Sequence, residues 1–380
     1  MLAPDAPGAI GYDVAMPSLH AKLWQADVPS VVNVFDPPPV ESLGIEMGVP
    51  PRQIRRMWIQ YCKHFGGRDA ALAEIGLPAR GVFAERVAFH PLALVDRVDS
   101  RCDGATKLVF RTDGGFLIES VILRTNTGRT ALCISSQVGC AARCAFCATG
   151  QMAAAHNLTP AEILDQLVQA GELLRAENRQ VRNVVLMGMG EPFHNEANVY
   201  AALDALFDPR LFHHPARYLL VSTVGIPDAI VRFARRYPGS NLALSLHSPR
   251  QEVREKLVPI ARRYDVTSLR AAIEQANRFQ NRPLLVEYLM LQGINDKPDD
   301  ADLLIAYLDG LKTHVNLIPF NPIDFASQFT SSDRFTRDSF AARLKAAGIP
   351  TTIRYSLGAD ISAACGQLVQ AIRHPARRES

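Results

Sequence analysis

The chain reads as an α/β protein built on a partial (β/α)6 TIM-like barrel, preceded by a small helical domain and a β-hairpin extension. Six near-continuous apolar runs begin at Asn183, Tyr218, Leu242, Leu284, His314 and Thr351, and helical segments separate them. Runs of that kind are strands buried on both faces, which a parallel sheet covered by helices requires. No dinucleotide fingerprint accompanies the alternation, which favours a barrel, and in barrels the chemistry sits at the C-terminal ends of the strands.

The remaining elements follow in chain order. Residues 1–42 carry the run Pro37-Pro38-Pro39 and are expected to form an extended lead-in. Residues 43–96 read as a helical accessory domain. There Arg52, Arg55 and Arg56 interleave with Met57, Trp58, Tyr61 and Cys62, which fits either an amphipathic helix packed on a core or an RNA-touching surface. Residues 97–132 read as β-structure, with Asp113-Gly114 as a hairpin turn. The core is placed at 133–370 and a basic tail at 371–380. Within the core, Thr159, Pro160 and Glu162 form a capping-box signature ahead of the apolar face of Ile163, Leu164, Leu167 and Val168. There is no internal repeat.

Bulk properties narrow the class. With 380 residues, 48% hydrophobic and 21% charged, the chain can bury a sizeable core. A net charge of +3 permits RNA binding without arguing for it. No apolar run is long enough to span a bilayer, and the N-terminus lacks the pattern of a secretory signal, so a cytoplasmic protein is expected. Of seven cysteines, four lie between Cys133 and Cys147, which argues for a metal or redox site in a reducing compartment rather than a disulfide framework.

The chemistry concentrates in that cluster. Cys140, Cys144 and Cys147 have C-x3-C-x2-C spacing, with Phe146 just before the last. Three thiolates in one loop suit three irons of a 4Fe–4S cluster, whose fourth iron stays open. A four-ligand zinc site usually shows a second C-x2-C pair, and none exists. One strand later, Gly188, Gly190 and Glu191 form a glycine-rich turn. Its backbone can approach a ligand closely, and its carboxylate suits a cationic amine. Ser222, Ser245, His247 and Asn321 stand at further strand ends, where each is read as a cap or core residue unless all converge at one barrel mouth. Cys133 lies seven residues before the triplet, and Cys365 lies in a Gly/Ser/Asp-containing stretch after the last strand, which suits a reactive loop. Cys62 and Cys102 read as small buried hydrophobes. Arginine pairs at 235–236, 262–263 and 377–378 suit either phosphate contacts or solvated helix faces.

Taken together, the run from Cys133 through Gly150, the segment Gly188–Pro192, Ser245–His247, Asn316–Pro322 and Ala363–Leu368 resemble the signature of the RlmN/Cfr family of radical-SAM RNA methyltransferases. The likeness covers roughly residues 43 to 370. It implies a radical-SAM barrel that uses a 4Fe–4S cluster and two molecules of S-adenosylmethionine (SAM) per turnover. It also implies methylation of an adenine ring carbon, C2 above C8, in 23S rRNA and also in tRNA. An amidine carbon is electrophilic and cannot attack the methyl of SAM. By resemblance, Cys365 first takes a methyl by nucleophilic displacement, a radical then activates that S-methyl group, and the resulting carbon adds to the base. Glu119 is the match for the proton acceptor, and Cys133 resolves the adduct through a transient disulfide with Cys365. SAM contacts transfer to Gly190, Glu191, Ser222, Ser245, Leu246, His247 and Asn321. A monomer and an electron donor such as flavodoxin or ferredoxin are expected. The loops at 151–155, 323–329 and 355–362 depart from the family pattern, and these would line the RNA entrance. Two other readings stay open: a related radical-SAM methylase with another RNA or small-molecule target, and a non-catalytic, metal-stabilised RNA-binding protein.

Overall fold

The computed structural model describes residues 31–152 and 154–368; the basic tail and the arginine pair at 377–378 lie outside them. A two-residue strand β1 (Val32–Asn33) leads into α1 (Pro37–Glu46). The expectation of an extended lead-in to residue 42 therefore fails over its described part. The proline run opens a helix because the first turn has no use for its amide hydrogens, and proline's fixed φ suits that turn. Next come α2 (Pro51–Trp58), α3 (Gly67–Ala73) and α4 (Leu77–Arg86). On α2 and the π-helical turn after it, Ile54, Met57, Trp58, Tyr61 and Cys62 are buried, while Arg52, Arg55 and Arg56 are exposed. The mixed aromatic and basic run is thus the two faces of one packed helix. The helical region shares its core with the barrel: Met57 and Phe83 belong to the same contiguous cluster as Val184 and Leu244.

Strand β2 (Val87–Ala88) pairs with β1, and β3 (Leu92–Asp99), β4 (Ala105–Thr112) and β5 (Leu117–Arg124) form an antiparallel meander. Cys102, expected to be buried, is exposed in the β3–β4 turn. Then follow β6 (Thr130–Cys133), β7 (Gln137–Val138), β8 (His156–Asn157), α5 (Pro160–Ala176), β9 (Asn183–Leu186), α6 (Glu196–Phe207), β10 (Leu219–Thr223), α7 (Pro227–Arg236) and β11 (Asn241–Ser245). The chain continues through α8 (Gln251–Leu257), α9 (Val266–Asn277), β12 (Leu284–Met290), α10 (Pro298–Leu308), β13 (Thr313–Pro319), α11 (Arg334–Ala346) and β14 (Thr351–Ile353).

The main sheet has the order β14-β13-β12-β11-β10-β9-β6-β5-β4-β3. From β6 to β14 every pairing is parallel, and helical crossovers turn this half into a partial barrel. The three antiparallel strands continue the same sheet past β6. Seven strands are parallel rather than six. Strand β6 was expected to end the β-extension, yet Ala131–Cys133 pair in register with Asn183–Val185, a partner some fifty residues downstream that no local pattern reveals. The crossover helix α5 starts on a complete capping box: Thr159 Oγ1 accepts from Glu162 N at 3.2 Å, and Glu162 Oε2 accepts from Thr159 N at 2.8 Å.

Candidate active site

Every parallel strand delivers its C-terminal end to one cavity. The loop after β6 supplies Cys140, Cys144 and Cys147, the turn after β9 supplies Gly188, Gly190 and Glu191, and β10 supplies Ser222 and Thr223. Ser245 and His247 come from β11 and its end, Glu287 from β12, Arg354 from beyond β14, and Cys365 from the loop after that.

The three triplet thiols share this cavity. Burial raises each of them; Cys140 is pushed up to about 12, and Cys144 is raised further by Cys147 and Cys140 beside it. A metal centre would take these three thiols as thiolates, replacing the protons that they otherwise keep. A second apolar cluster that includes Ala142, Leu257, Leu289 and Phe320 packs around the loop, the kind of shell that limits water at such a site. The residues therefore fit a 4Fe–4S cluster held by Cys140, Cys144 and Cys147.

The glycine-rich turn packs tightly, but against the chain itself. A Cβ at Gly188 would lie 2.6 Å from Ile134 O, and one at Gly190, where φ is +100°, would lie 2.5 Å from Gln137 Cβ. Glycine is needed here so that this turn can lie against the segment leading to the triplet. Glu191 then reaches across to β10. Its carboxylate accepts from Thr223 Oγ1 at 2.7 Å, Val224 N at 2.8 Å and Phe193 N at 3.1 Å. Burial nevertheless pushes it up to about 7, against the pull of those three donors. A carboxylate has about four lone-pair sites, so a cationic group in the cavity finds an acceptor here.

His247 sits at φ +59°, packed edge-on against Phe146 at 4.7 Å. Its Nδ1 accepts from Leu289 N at 3.1 Å, which leaves the proton on Nε2. Burial pushes the ring down to about 3, so it is a neutral donor at physiological pH. Beneath it Arg254 is fully buried and donates to the carbonyls of Ser245, Leu246 and Val224, tying the ends of β10 and β11 together.

Two sequence-named contacts lie elsewhere. Leu246 is fully buried and is not part of the cavity wall; only its backbone serves the site. Asn321 also stays off the wall, and its Nδ2 donates to Ser356 Oγ at 3.1 Å and to Cys365 O at 3.2 Å. It positions the loop of Cys365 in this state.

Cys365 lines the cavity, and Cys133, at the end of β6, lies just behind the wall; both are free thiols. Burial pushes Cys133 up to about 12, with Cys365 adding to the rise and Arg354 opposing it. Arg354 is itself raised by Cys365, Glu287 and Cys133 around it, and its Nη1 lies 3.4 Å from Met187 Sδ. Glu287, fully buried in β12, accepts from Asn316 Nδ2 at 3.1 Å. Glu119 is buried on β5, with Lys107 Nζ 3.5 Å from its Oε1, and does not line the cavity. Sequence reading passed over Glu287, Arg354, Lys107 and Arg254. The signal for the first three is a lone charge inside or just after an apolar strand; for Arg254 a polar helix sequence gives none.

Of the remaining arginines, Arg236 pairs with Asp204, Arg235 lies over Phe279 and Arg263 over Tyr264. No helix is long and apolar enough to cross a membrane among the described residues.

Comparison with known proteins agrees with this geometry. Residues 134–305 match the radical SAM superfamily. A probable RNA methyltransferase of Rhodopirellula baltica is 48% identical over 90% of this chain and 89% of its own length. The dual-specificity RNA methyltransferase RlmN of Phenylobacterium zucineum is 38% identical over 88% and 90%. A crystal structure of a radical SAM methyltransferase from Sphaerobacter thermophilus superposes with TM-score 0.83 at 36% identity, covering 90% of this chain and 98% of that one. With identity at this level along nearly its whole length, the chain belongs to the RlmN/Cfr family of radical-SAM RNA methyltransferases.

Proposed function

We propose that the protein methylates an adenine ring carbon, C2, of 23S rRNA and of tRNA through an S-methylcysteine at Cys365, using two SAM molecules per turnover. It acts in the cytoplasm as a monomer and draws electrons from a flavodoxin- or ferredoxin-type donor. The observation that carries this reading is the pair of free thiols, Cys133 and Cys365, beside Arg354 and next to the three-cysteine loop. A cluster alone starts radical chemistry; two further free thiols, one on the cavity wall and one behind it, specify transfer through sulfur.

The chain's residues divide the work. Glu191 meets the ammonium of SAM, and Ser222, Ser245 and His247 offer hydroxyl and N–H groups to its ribose and base. Cys365 attacks the methyl carbon of the first SAM, so that a new S–C bond forms as the sulfonium bond breaks. When bound, the cluster and the second SAM supply the radical that activates this methyl group for attachment to the base. Glu119 takes the ring proton. The Cys133 thiolate then attacks the sulfur of Cys365, the S–C bond breaks with its electron pair left on the methylene carbon, a proton from solvent turns that carbon into the methyl group of the departing base, and an external reductant reopens the disulfide.

The test uses reconstituted enzyme, reductant, methyl-labelled SAM and rRNA or tRNA fragments, with mass spectrometry of the Cys365 peptide and the digested RNA. Label is expected on Cys365 and then on C2 of adenosine; an unlabelled Cys365 peptide in active enzyme sinks the reading, and label on C8 transfers it to the other branch of the family. Cys133→Ala is expected to accumulate an RNA–protein adduct, and normal turnover in that variant rules out its resolving role.

A further inference from the structure

The antiparallel extension holds a charged pair that the scheme above uses only in part. Sheet register sets Lys107 beside Val121 and Val121 beside Cys133. Side chains directly opposite one another across strands share a face, as do residues two apart. Lys107, Glu119 and Cys133 therefore stand on one face of the sheet, and that face continues into the barrel wall.

There the side chains of Lys107 and Glu119 are 2% and 0% exposed, with Nζ 3.5 Å from Oε1. The same Nζ lies 3.5 Å from the carbonyl of Ser362. Ser362 is in a left-handed turn, at φ +51°, three residues before Cys365. Two further contacts fasten this loop to the extension: Asp103 accepts from Gly358 N at 2.8 Å, and Asp360 accepts from Ser100 Oγ at 2.8 Å. One ammonium thus touches both the carboxylate and the loop that carries the methyl-accepting thiol.

Stability gives little reason for such a pair. Desolvating an ammonium costs several kcal/mol, and apolar replacements of buried ion pairs are often neutral or stabilising. Both charges also interrupt strands whose neighbours are apolar, Leu108 to Phe110 and Val121 to Ile122.

We propose that Lys107 is the positioning residue of the proton-transfer step: it holds the Glu119 carboxylate and links it to the Cys365 loop, so that base and thiol keep a fixed relation. This rests on the reading of Glu119 as proton acceptor. In that step the ring C–H bond breaks, its electron pair stays in the ring, and the proton passes to Glu119. The neutral acid no longer balances the ammonium, which keeps its contact with Ser362 O on the loop where Cys133 must next reach sulfur.

The test compares full-length reconstituted Lys107→Met, Lys107→Arg, Glu119→Gln and the double variant Lys107→Met with Glu119→Gln, using methyl-labelled SAM and an rRNA fragment. Lys107→Met is expected still to methylate Cys365, to accumulate RNA–protein adduct, and to release it roughly 10–100-fold more slowly, the scale of one lost charge-assisted contact. Lys107→Arg should release faster than Lys107→Met. The double variant should be no slower than Glu119→Gln alone, because the lysine acts through the glutamate. Its neutral side chains also keep the comparison open if Lys107→Met folds poorly. Wild-type release from Lys107→Met, or an additive loss in the double variant, overturns the proposal while a trapped adduct in Glu119→Gln keeps the parent reading. Normal turnover by Glu119→Gln removes the parent reading itself.

Discussion

Glu191 shows how one residue's environment sets a testable chemistry. Burial holds it near 7 while three donors fix its orientation. The raised value means that the carboxylate protonates as pH falls through about 7, and a protonated acid has no charge to offer the SAM ammonium. SAM binding is therefore expected to weaken by roughly tenfold per pH unit below about 7 and to level off above it on the side of this group. Titration calorimetry at a series of pH values checks this, and a flat profile contradicts it. Glu191→Gln should bind SAM about 10–100-fold more weakly, as expected for losing a hydrogen bond to a charged group, and should lose the acid limb. The turn residues before Glu191 were legible as a motif, but their purpose was not. Glycine at 188 and 190 serves contact with Ile134 and Gln137, which are distant in sequence and adjacent only because β6 and β9 pair.

At the scale of elements, the strands were the clearest reading, because apolar runs such as Leu284–Met290 are buried along almost their whole length. Helix starts were also legible where the cap is local. In α5 the reciprocal Thr159–Glu162 bonds join residues three apart, so sequence spacing alone specifies them. Thr159→Ala is expected to cost about 1 kcal/mol and to lower the unfolding midpoint by roughly 1–3 °C without altering cluster content; an unchanged thermal scan would falsify the cap's contribution. Strand β6 and the opening of α1 were misread for opposite reasons. The parallel partner of β6 is remote, whereas the prolines of α1 are local but suit a helix's first turn as well as an extended chain.

Across the whole molecule, the cluster loop and the Cys365 loop are one assembly. Ala148 N donates to Gly366 O at 2.8 Å, and Thr149 Oγ1 donates to Leu368 O at 3.4 Å. Ordering the triplet with iron and sulfide should therefore slow amide exchange at 364–368 as well as at 144–150. Anaerobic hydrogen–deuterium exchange before and after reconstitution measures this, and protection confined to 144–150 would mean that the two loops are independent. The sequence by itself determined six of the seven parallel strands, the cysteine triplet and the two outlying thiols, because strand burial and short ligand spacing are written in neighbouring residues. Only the tertiary structure decided which polar groups meet. Asn321 turns to the carbonyl of Cys365, Leu246 is buried behind the wall, and Arg354 comes within electrostatic reach of both thiols. Those relations depend on sheet register and on the path of the last loop. Both are fixed by contacts between residues tens to hundreds of positions apart, and a linear pattern carries no record of them.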